Sequence, residues 1–343
     1  MNTAIAMSGG VDSSVAASIL QEQGHNLFGV TFITGHEADA DLTVSRAAAA
    51  ATTIGIPHFV FDASDIFESQ VIQPCADAYS RGLTPNPCAI CNPILKFGAL
   101  LDFCASLGAD RLATGHYARI LTAPDGGPAL ARGLDSRKDQ SYFLFRVPRD
   151  VLSSVVFPLG GLTKAQVRQR AAELGLPAAT SDESQDVCFG NSERPLHEVL
   201  REITDRRGPP GNVVSPDGTV LGMHDGIDAF TIGQRRGLRI ATGTRAWVTR
   251  IDPGGDVVLS NDPSDLECTS LLARDVVIGA GLDGSGPLAC KIRYAHRAVP
   301  CTAGILPDGR LRVDFIEKVK AVTPGQASVV YSGDLVCCGG WIE

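Results

Sequence analysis

The sequence predicts an α/β architecture: a doubly wound parallel sheet, then a small central domain and a C-terminal β-barrel. Three observations carry that expectation. Strand-length apolar runs alternate with helical periodicities over the first 120 residues, as a parallel sheet requires, because its strands are joined by crossover helices. The composition breaks at Arg206-Arg-Gly-Pro-Pro-Gly211, which has the character of a linker. After Gly243 short alternating segments take over, the pattern of a small barrel. At about 150 residues per domain, a chain of 343 residues holds two or three, expected here over 1–205, 206–255 and 256–343.

The elements follow in order. Thr3–Met7 is a strand, a glycine-rich turn comes next, and the helix after it ends near Gly24. Leu27–Ile33 is a second buried strand. Leu42–Gly55 is an alanine-rich helix that stops at Gly55-Ile-Pro57, where proline cannot continue it. His58–Phe61 is a third strand, Leu95–Leu107 a helix, and Arg111–Thr114 a fourth strand. Thr163 as cap and Gly175 as stop bound a helix over 163–175, and Pro195–Thr204 is helical again. Beyond Gly243, WVTRID, DVVLS, ARDVVIG, CKIRYAH, LRVDF and ASVVY are expected strands, with a turn at Pro307-Asp-Gly309. In doubly wound sheets ligands sit at the carboxyl ends of the strands.

Composition narrows the function classes. Apolar residues make up 44% and charged residues 20%, enough for an ordinary core. No unbroken run of eighteen apolar residues occurs, so a membrane-spanning helix and a membrane partner are not expected. MNTAIAMSGG has neither a basic segment nor a cleavage pattern, which points to a cytoplasmic protein. The net charge of −8 argues at first sight against a polyanionic partner. However, residues 1–80 hold nine acids and one base, and the rest of the chain is balanced. Residues 201–250 carry eight arginines against five acids. Local positive surface, not the total, decides nucleic-acid binding.

Ser8-Gly-Gly-Val-Asp-Ser-Ser14 lies between the first strand and its helix. Glycines there let backbone amides approach a phosphate, and the helix N-terminus adds partial positive charge. The hydroxyls of Ser8, Ser13 and Ser14 are further donors, and Asp12 is a candidate Mg²⁺ ligand or helix cap. GxxxxGK[ST] and GxGxxG are both absent, which sets aside a Walker loop and a Rossmann dinucleotide site. The heptapeptide resembles the SGGxDS signature of the PP-loop ATP pyrophosphatase superfamily. The resemblance implies ATP cleaved to AMP and pyrophosphate, with a substrate oxygen adenylated.

Ten cysteines in a cytosolic chain do not suggest a disulfide framework. Only Cys88-Ala-Ile-Cys91, framed by prolines in Thr84-Pro-Asn-Pro-Cys-Ala-Ile-Cys-Asn92, has the spacing of a metal-ligand or redox pair. A helix N-terminus there would favour the thiolate. Ser184-Gln-Asp-Val-Cys188 supplies a third thiol, 97 residues after Cys91. Cys75, Cys104, Cys268, Cys290, Cys301, Cys337 and Cys338 are expected to be packing residues.

MSGGVDSSV, TPNPCAICN, ATGHYAR, KDQSYFL, FPLG, SQDVCF, FTIGQRRGL, IRY and TPGQ together resemble the tRNA 2-thiouridylase (MnmA-type) family, in its order and over nearly the whole chain. The resemblance implies a tRNA-uridine sulfurtransferase that replaces the C2 oxygen of the wobble uridine with sulfur. It implies an ATP and Mg²⁺ site at Ala6, Met7, Ser8, Gly9, Gly10, Val11, Asp12, Ser13, Phe32 and Gly115. Cys188 would carry a persulfide, and Cys91 would help release its sulfur and form a disulfide with it. Asn86, Pro87 and Cys88 would face the target base. His116, Lys138, Asp139, Gln140, Arg293, Tyr294 and Gln326 would contact tRNA. A sulfur-donor protein is the further partner.

Each of these positions also has a plainer reading. Phe32 would pass as core and His116 as a structural histidine. Lys138-Asp-Gln140 reads as a solvated loop, and Pro-Gly alone predicts a turn before Gln326. Arg206, Arg207, Arg235, Arg236 and Arg239 are phosphate contacts or simply a solvated face.

Two chemical alternatives stay open. Cys88, Cys91 and Cys188 are enough to ligate a [4Fe-4S] cluster with one open iron, as against persulfide relay with Cys88 a spectator. An amide-forming PP-loop ligase would need no cysteine pair, and a sulfur or Fe–S carrier that binds tRNA would consume no ATP. Lys138–Leu144 and the loop around Cys188 are expected to order on tRNA binding. The chain departs from the family pattern at Cys88, where many family sequences have Asp, at Thr34–Thr43, which lacks a cysteine seen in many relatives, at Pro93 after Asn92, and in its shortness.

Overall fold

Five parallel strands form the sheet that positions the phosphate loop, in the order β3-β2-β1-β4-β7. They are β1 (Asn2–Ala6), β2 (Asn26–Ile33), β3 (His58–Asp62), β4 (Arg111–Ala113) and β7 (Val155–Val156). The structure is a computed structural model and describes all residues except 38, 177–187, 191–193, 239, 241–242 and 283–285. By contacts the chain divides into two compact units. One is Met1–Gln70, Cys88–Phe189 and Asp334–Val336; the other is Val71–Pro87, Gly190–Gly333 and Cys337–Glu343.

In the first unit, β1 leads outward to β2 and β3 while β4 leads the other way to β7. The switch point therefore lies between β1 and β4, where the carboxyl ends of two neighbouring strands open a crevice. Ile5 of β1, Val15, Ala16 and Leu20 of α1 (Val11–Glu22), and Ala47, Ala50 and Ala51 of α2 (Ala40–Ile54) share one core. The alanines explain the close packing of these helices. A hairpin, β5 (Ala118–Thr122) and β6 (Pro128–Arg132), was not foreseen from sequence.

The helix Lys164–Glu173 has the expected start: the Thr163 side chain accepts from the Gln166 N–H in a reciprocal capping box. The phosphate-loop helix differs from the expected one. Gly10 is its N-cap, and no side chain, Asp12 included, caps it.

The cysteine helix begins eight residues earlier than the periodicity suggests and runs Pro87–Ser106. Its middle, Asn92–Ala99, winds as a π-helix. Pro93 accounts for the departure, because it has no N–H for the carbonyl four residues back and its ring crowds that turn. A second π segment, Glu68–Ile72, is likewise followed by a proline, Pro74.

By length and composition Pro87–Ser106, at mean hydropathy 1.4, is long and apolar enough to cross a membrane, which the search for unbroken apolar runs missed. Ala89, Cys91, Leu95, Phe97, Leu100 and Cys104 are buried within the protein.

The second unit holds a four-stranded sheet, β10-β11-β8-β9, built from β8 (Gly211–Val214), β9 (Val220–His224), β10 (Trp247–Ile251) and β11 (Val257–Ser260). WVTRID and DVVLS, which follow Gly243, belong to this sheet and not to the barrel. The barrel has six strands: β12 (Glu267–Ile278), β13 (Leu288–Lys291), β14 (Val299–Ile305), β15 (Leu311–Lys320), β16 (Ala327–Ser332) and β17 (Leu335–Ile342). Pairing of β12 with β17, from Ala273 opposite Ile342 to Ile278 opposite Cys338, closes it. Cys290, Cys301, Cys337 and Cys338 lie in its core and Cys268 packs against that core, which are the packing roles expected of them.

Candidate active site

Ala6 and Met7 end β1, and Ser8, Gly9 and Gly10 turn the chain into α1. Gly10 offers no capping group, so the first N–H groups of α1 keep their capacity for an anion. The hydroxyls of Ser13 and Ser14 are not additional free donors. Both donate to the Gly10 carbonyl, at 3.2 and 3.0 Å, and the Ser8 N–H donates to Ser13 Oγ at 3.3 Å. Val11 and Ser13 are buried beneath the turn.

Gly115, after β4, has a different purpose from the one its place at the sheet edge suggests. A Cβ there would stand 3.0 Å from the Ser13 nitrogen, so the missing side chain admits the phosphate loop's own backbone.

Asp12 is firmly engaged. Lys164 Nζ donates to its two oxygens at 2.8 and 2.9 Å, and the Tyr117 hydroxyl donates to Oδ1 at 2.8 Å. Lys164 was missed from sequence, where it passed as the first residue of a well-capped helix. Tyr117 is braced by Gln140: its N–H donates to Gln140 Oε1 at 3.0 Å, and its carbonyl accepts from the Gln140 N–H at 2.9 Å. Asp139 is buried, with Oδ1 accepting from the Gly133 and Ser141 N–H groups at 3.1 and 3.0 Å. The triplet Lys138-Asp139-Gln140 is therefore largely an internal brace and not a solvated loop. Ser141–Leu144 is a helical turn whose Tyr142 and Leu144 are fully buried.

The thiols gather on the same unit. Cys91 is buried, Cys88 half-buried and Cys188 exposed, and all three are free. Phe189 holds Cys188 in place, its ring edge-on to Phe67 at 5.6 Å. Residues 184–187 of the SQDVC motif lie outside the described residues. Burial pushes the Cys91 thiol up to about 11, against the pull of Lys96. The protein around Cys188 pushes it up to about 12, with Cys91 adding to the rise and Lys96 opposing it. Cys88 is raised by burial and lowered by Lys96.

Lys96, also missed from sequence, owes its place to the π winding. Lys96 lies on the turn that follows Cys91 and lowers the pKa of its thiol. Its Nζ lies 6.0 Å from the centre of the Phe32 ring, which links the thiols to the end of β2. Glu37 is a third residue sequence did not reveal, in the stretch noted for lacking a cysteine. One oxygen accepts from the Thr34 N–H at 2.6 Å; the other is buried with no partner among the described residues. Its charge adds to the rise at Cys188.

His116 accepts or donates at Nδ1 with the Thr114 hydroxyl at 2.7 Å and lies between the rings of Phe97 and Phe157. Burial, then Lys96, holds it well below the ordinary histidine range, so it is neutral near pH 7. Among the described residues no three His, Cys, Asp or Glu side chains are grouped to hold a metal ion.

Residues 1–192 match the tRNA methyl transferase HUP domain family, 197–259 its PRC-barrel domain, and 271–342 the aminomethyltransferase β-barrel domain. The tRNA-specific 2-thiouridylase MnmA of Geobacter metallireducens is 44% identical, over 99% of this chain and 96% of its own. The chain belongs to the tRNA-specific 2-thiouridylase family.

A second 2-thiouridylase, from Moorella thermoacetica, is 41% identical over 99% of this chain and 98% of its own. The solved U34-tRNA thiolase NcsA of Methanococcus maripaludis is 18% identical, with a TM-score of 0.38, over 60% of this chain and 65% of that one.

The residues that 2-thiouridylase motifs suggested for tRNA have mixed surroundings in the second unit. Tyr294 is exposed, with Lys291 Nζ 5.1 Å from its ring centre. Asn86 is buried. Arg293 is turned inward: Nη2 donates to the carbonyls of Ile232 and Ala321 at 2.8 and 2.9 Å, and to the Thr323 hydroxyl. Gln326 Nε2 donates to the carbonyls of Thr84 and Pro85 at 2.9 and 3.3 Å. Arg206 pairs with Asp77, whereas Arg207, Arg235 and Arg236 are exposed; Arg239 lies outside the described residues.

Proposed function

We propose that this enzyme thiolates the wobble uridine of tRNA at C2, consuming ATP and delivering sulfur from a persulfide on Cys188. One observation carries the reading: an uncapped phosphate-loop helix and the mutually interacting thiols Cys91 and Cys188 occur on one compact unit. An amide-forming ligase has no use for the second half of that pairing.

The uridine C2 oxygen is a poor leaving group. Its attack on the α-phosphate of ATP expels pyrophosphate and leaves an adenylated oxygen. The terminal sulfur of the Cys188 persulfide then attacks C2, and AMP departs. The Cys91 thiolate attacks the Cys188 sulfur, which breaks the S–S bond. The delivered sulfur stays on C2 and a Cys91–Cys188 disulfide forms, reset by an external thiol reductant. The N–H groups at the start of α1 bind the phosphates, and Phe32 lines the adenine. Asn86, Pro87 and Cys88 face the base.

Lys164 and Tyr117 keep the Asp12 carboxylate fixed beneath the loop, with both oxygens engaged. That arrangement fits Mg²⁺ arriving as the nucleotide's counter-ion better than an ion resident on Asp12. Among the described residues no three donors are grouped to hold a cluster, and no step runs through one. The persulfide comes from a separate sulfur-donor protein. The ten free thiols suit the reducing cytoplasm.

The deciding experiment incubates the protein with tRNA, ATP and a persulfide donor, then analyses nucleosides by mass spectrometry and nucleotides by chromatography. We expect 2-thiouridine with stoichiometric AMP and pyrophosphate, and none of the thionucleoside from Cys188→Ser or Cys91→Ser. ATP turnover that persists in Cys188→Ser with an amide product would favour the ligase. Sulfur release with no AMP would favour a carrier.

A further inference from the structure

A hydrogen-bond relay stands behind the entry to the phosphate loop, on residues that none of the motifs includes. The register of β1 on β2 ends at Ala6 opposite Val30, and the Met7 N–H donates to the Val30 carbonyl at 2.8 Å. The Met7 carbonyl, which the next rung of a parallel ladder would use, is taken by a side chain: the Thr31 hydroxyl donates to it at 2.9 Å. Thr31 Oγ1 also lies 2.8 Å from His58 Nε2. A hydroxyl has one hydrogen and a carbonyl can only accept, so that hydrogen is committed to Met7 and the His58 ring donates. Burial lowers the His58 pKa from its ordinary value, which leaves the ring neutral near pH 7 with its single hydrogen on Nε2.

The first unit is shaped around this relay. Gly29 sits opposite His58, and a Cβ at 29 would fall 2.6 Å from Met7 Sδ and 3.3 Å from His58 Cδ2. The bare glycine lets the Met7 side chain and the imidazole close over the face of β2 that also carries Thr31, two residues on. Thr31 and Met7 are buried, so a Met7 carbonyl deprived of the hydroxyl would be left unsatisfied. The other end of the same peptide is held as well. The Ser8 N–H donates to Ser13 Oγ at 3.3 Å, and Ser13 Oγ donates to the Gly10 carbonyl at 3.2 Å. A peptide is planar, so holding its carbonyl and its N–H fixes its orientation.

We propose that Thr31 and His58 are positioning residues for the nucleotide: His58 donates to Thr31, Thr31 donates to Met7, and the relay sets the plane of the Met7–Ser8 peptide at the mouth of the phosphate loop. The inference rests on the ATP site of the function proposed above. Backbone amides bind phosphate well only when already aimed at it. A Met7–Ser8 peptide free to rotate would have to be ordered each time ATP binds, which weakens affinity and leaves the later chemistry alone. His58 works only through Thr31, so its hydrogen has no purpose once the hydroxyl is gone.

The test measures binding of α,β-methylene-ATP with Mg²⁺ to the full-length protein by calorimetry, with steady-state thiolation alongside. Thr31→Val keeps the shape and loses the hydroxyl, and His58→Phe keeps a ring and loses the donor. Thr31→Ser keeps the hydroxyl, and His58→Gln keeps a donor near the Nε2 position. We expect the first two to weaken binding of the analogue about three- to tenfold and to raise the KM for ATP in step, with kcat within about twofold. The two conservative variants should bind within about twofold of the unsubstituted protein. The double variant Thr31→Val/His58→Phe should bind no more weakly than Thr31→Val alone, because the two residues act in series.

Equal losses in Thr31→Val and Thr31→Ser, or additive losses in the double variant, would overturn the relay. Unchanged binding in both Thr31→Val and His58→Phe would do the same, and so would a fall in kcat at constant KM. The binding arm needs neither tRNA nor sulfur. An unsubstituted protein that binds the analogue and makes no 2-thiouridine would therefore remove the thiolation reading, while the Kd values still decide the relay; one that does not bind the analogue would overturn both.

Discussion

Cys91 and Cys188 are thiols, not thiolates, at neutral pH: burial and then Cys88 raise Cys91 to about 11, and the surrounding protein and then Cys91 raise Cys188 to about 12. An acid whose proton is harder to lose in the folded protein reacts through a minor species, and that species grows tenfold per pH unit below its pKa. Alkylation of both residues by iodoacetamide, followed by peptide mass spectrometry, is therefore expected to keep accelerating from pH 7 to about pH 10. A plateau near pH 8.5, the value of an unperturbed cysteine, would contradict this description. The two thiols themselves were legible in the sequence through their motifs. Lys96 and Glu37, which pull their acidity in opposite directions, were not. The position of Lys96 follows from a helix winding that apolar periodicity does not encode, and that of Glu37 from a loop after β2.

At the scale of elements, the turn after β4 fits closely against the start of α1. Gly115→Ala would force its methyl group against the backbone of Asp12 and Ser13, which cannot swing aside as a flexible side chain would. We expect a stability loss of about 1–3 kcal/mol by thermal denaturation. The KM for ATP should rise about tenfold as the phosphate-binding amides shift; an unchanged KM would show that the loop tolerates the intrusion. Four of the five parallel strands were legible because apolar runs and glycine stops mark them, whereas β7, two residues long, was not. The β17 strand was not, since LVCCGGWI is buried almost throughout and lacks alternation. The π segment Asn92–Ala99 also has a consequence for register. Deleting one of its residues would restore α winding and rotate the thiol-bearing turn by about 100° relative to Leu100–Ser106.

Across the whole molecule, the net negative charge falls in residues 1–80, which hold a single base, while the exposed arginines Arg207, Arg235 and Arg236 lie in the second unit. A net charge of −8 is thus compatible with a polyanionic substrate held by local cations. tRNA affinity is expected to fall about tenfold or more between 50 and 200 mM salt as counterions compete. A salt-independent Kd, measured by filter binding, would remove phosphate contacts from the account. Function at this scale was legible because motif order spans the chain. The internal hydrogen bonds of its polar residues were not: Asp139, Gln140, Arg293 and Gln326 each engage carbonyl or amide groups of the protein itself, which motif order does not reveal.

Because β12 meets β17, the second unit ends in a hoop whose staves have no loose margin, and a hoop fails as a whole. Ile342, one of those staves' residues, also bonds the turn at Gly325 and Gln326 that grips Thr84. Warming that springs the hoop would therefore loosen that grip at once, even with every cysteine intact and the nucleotide cradle still folded.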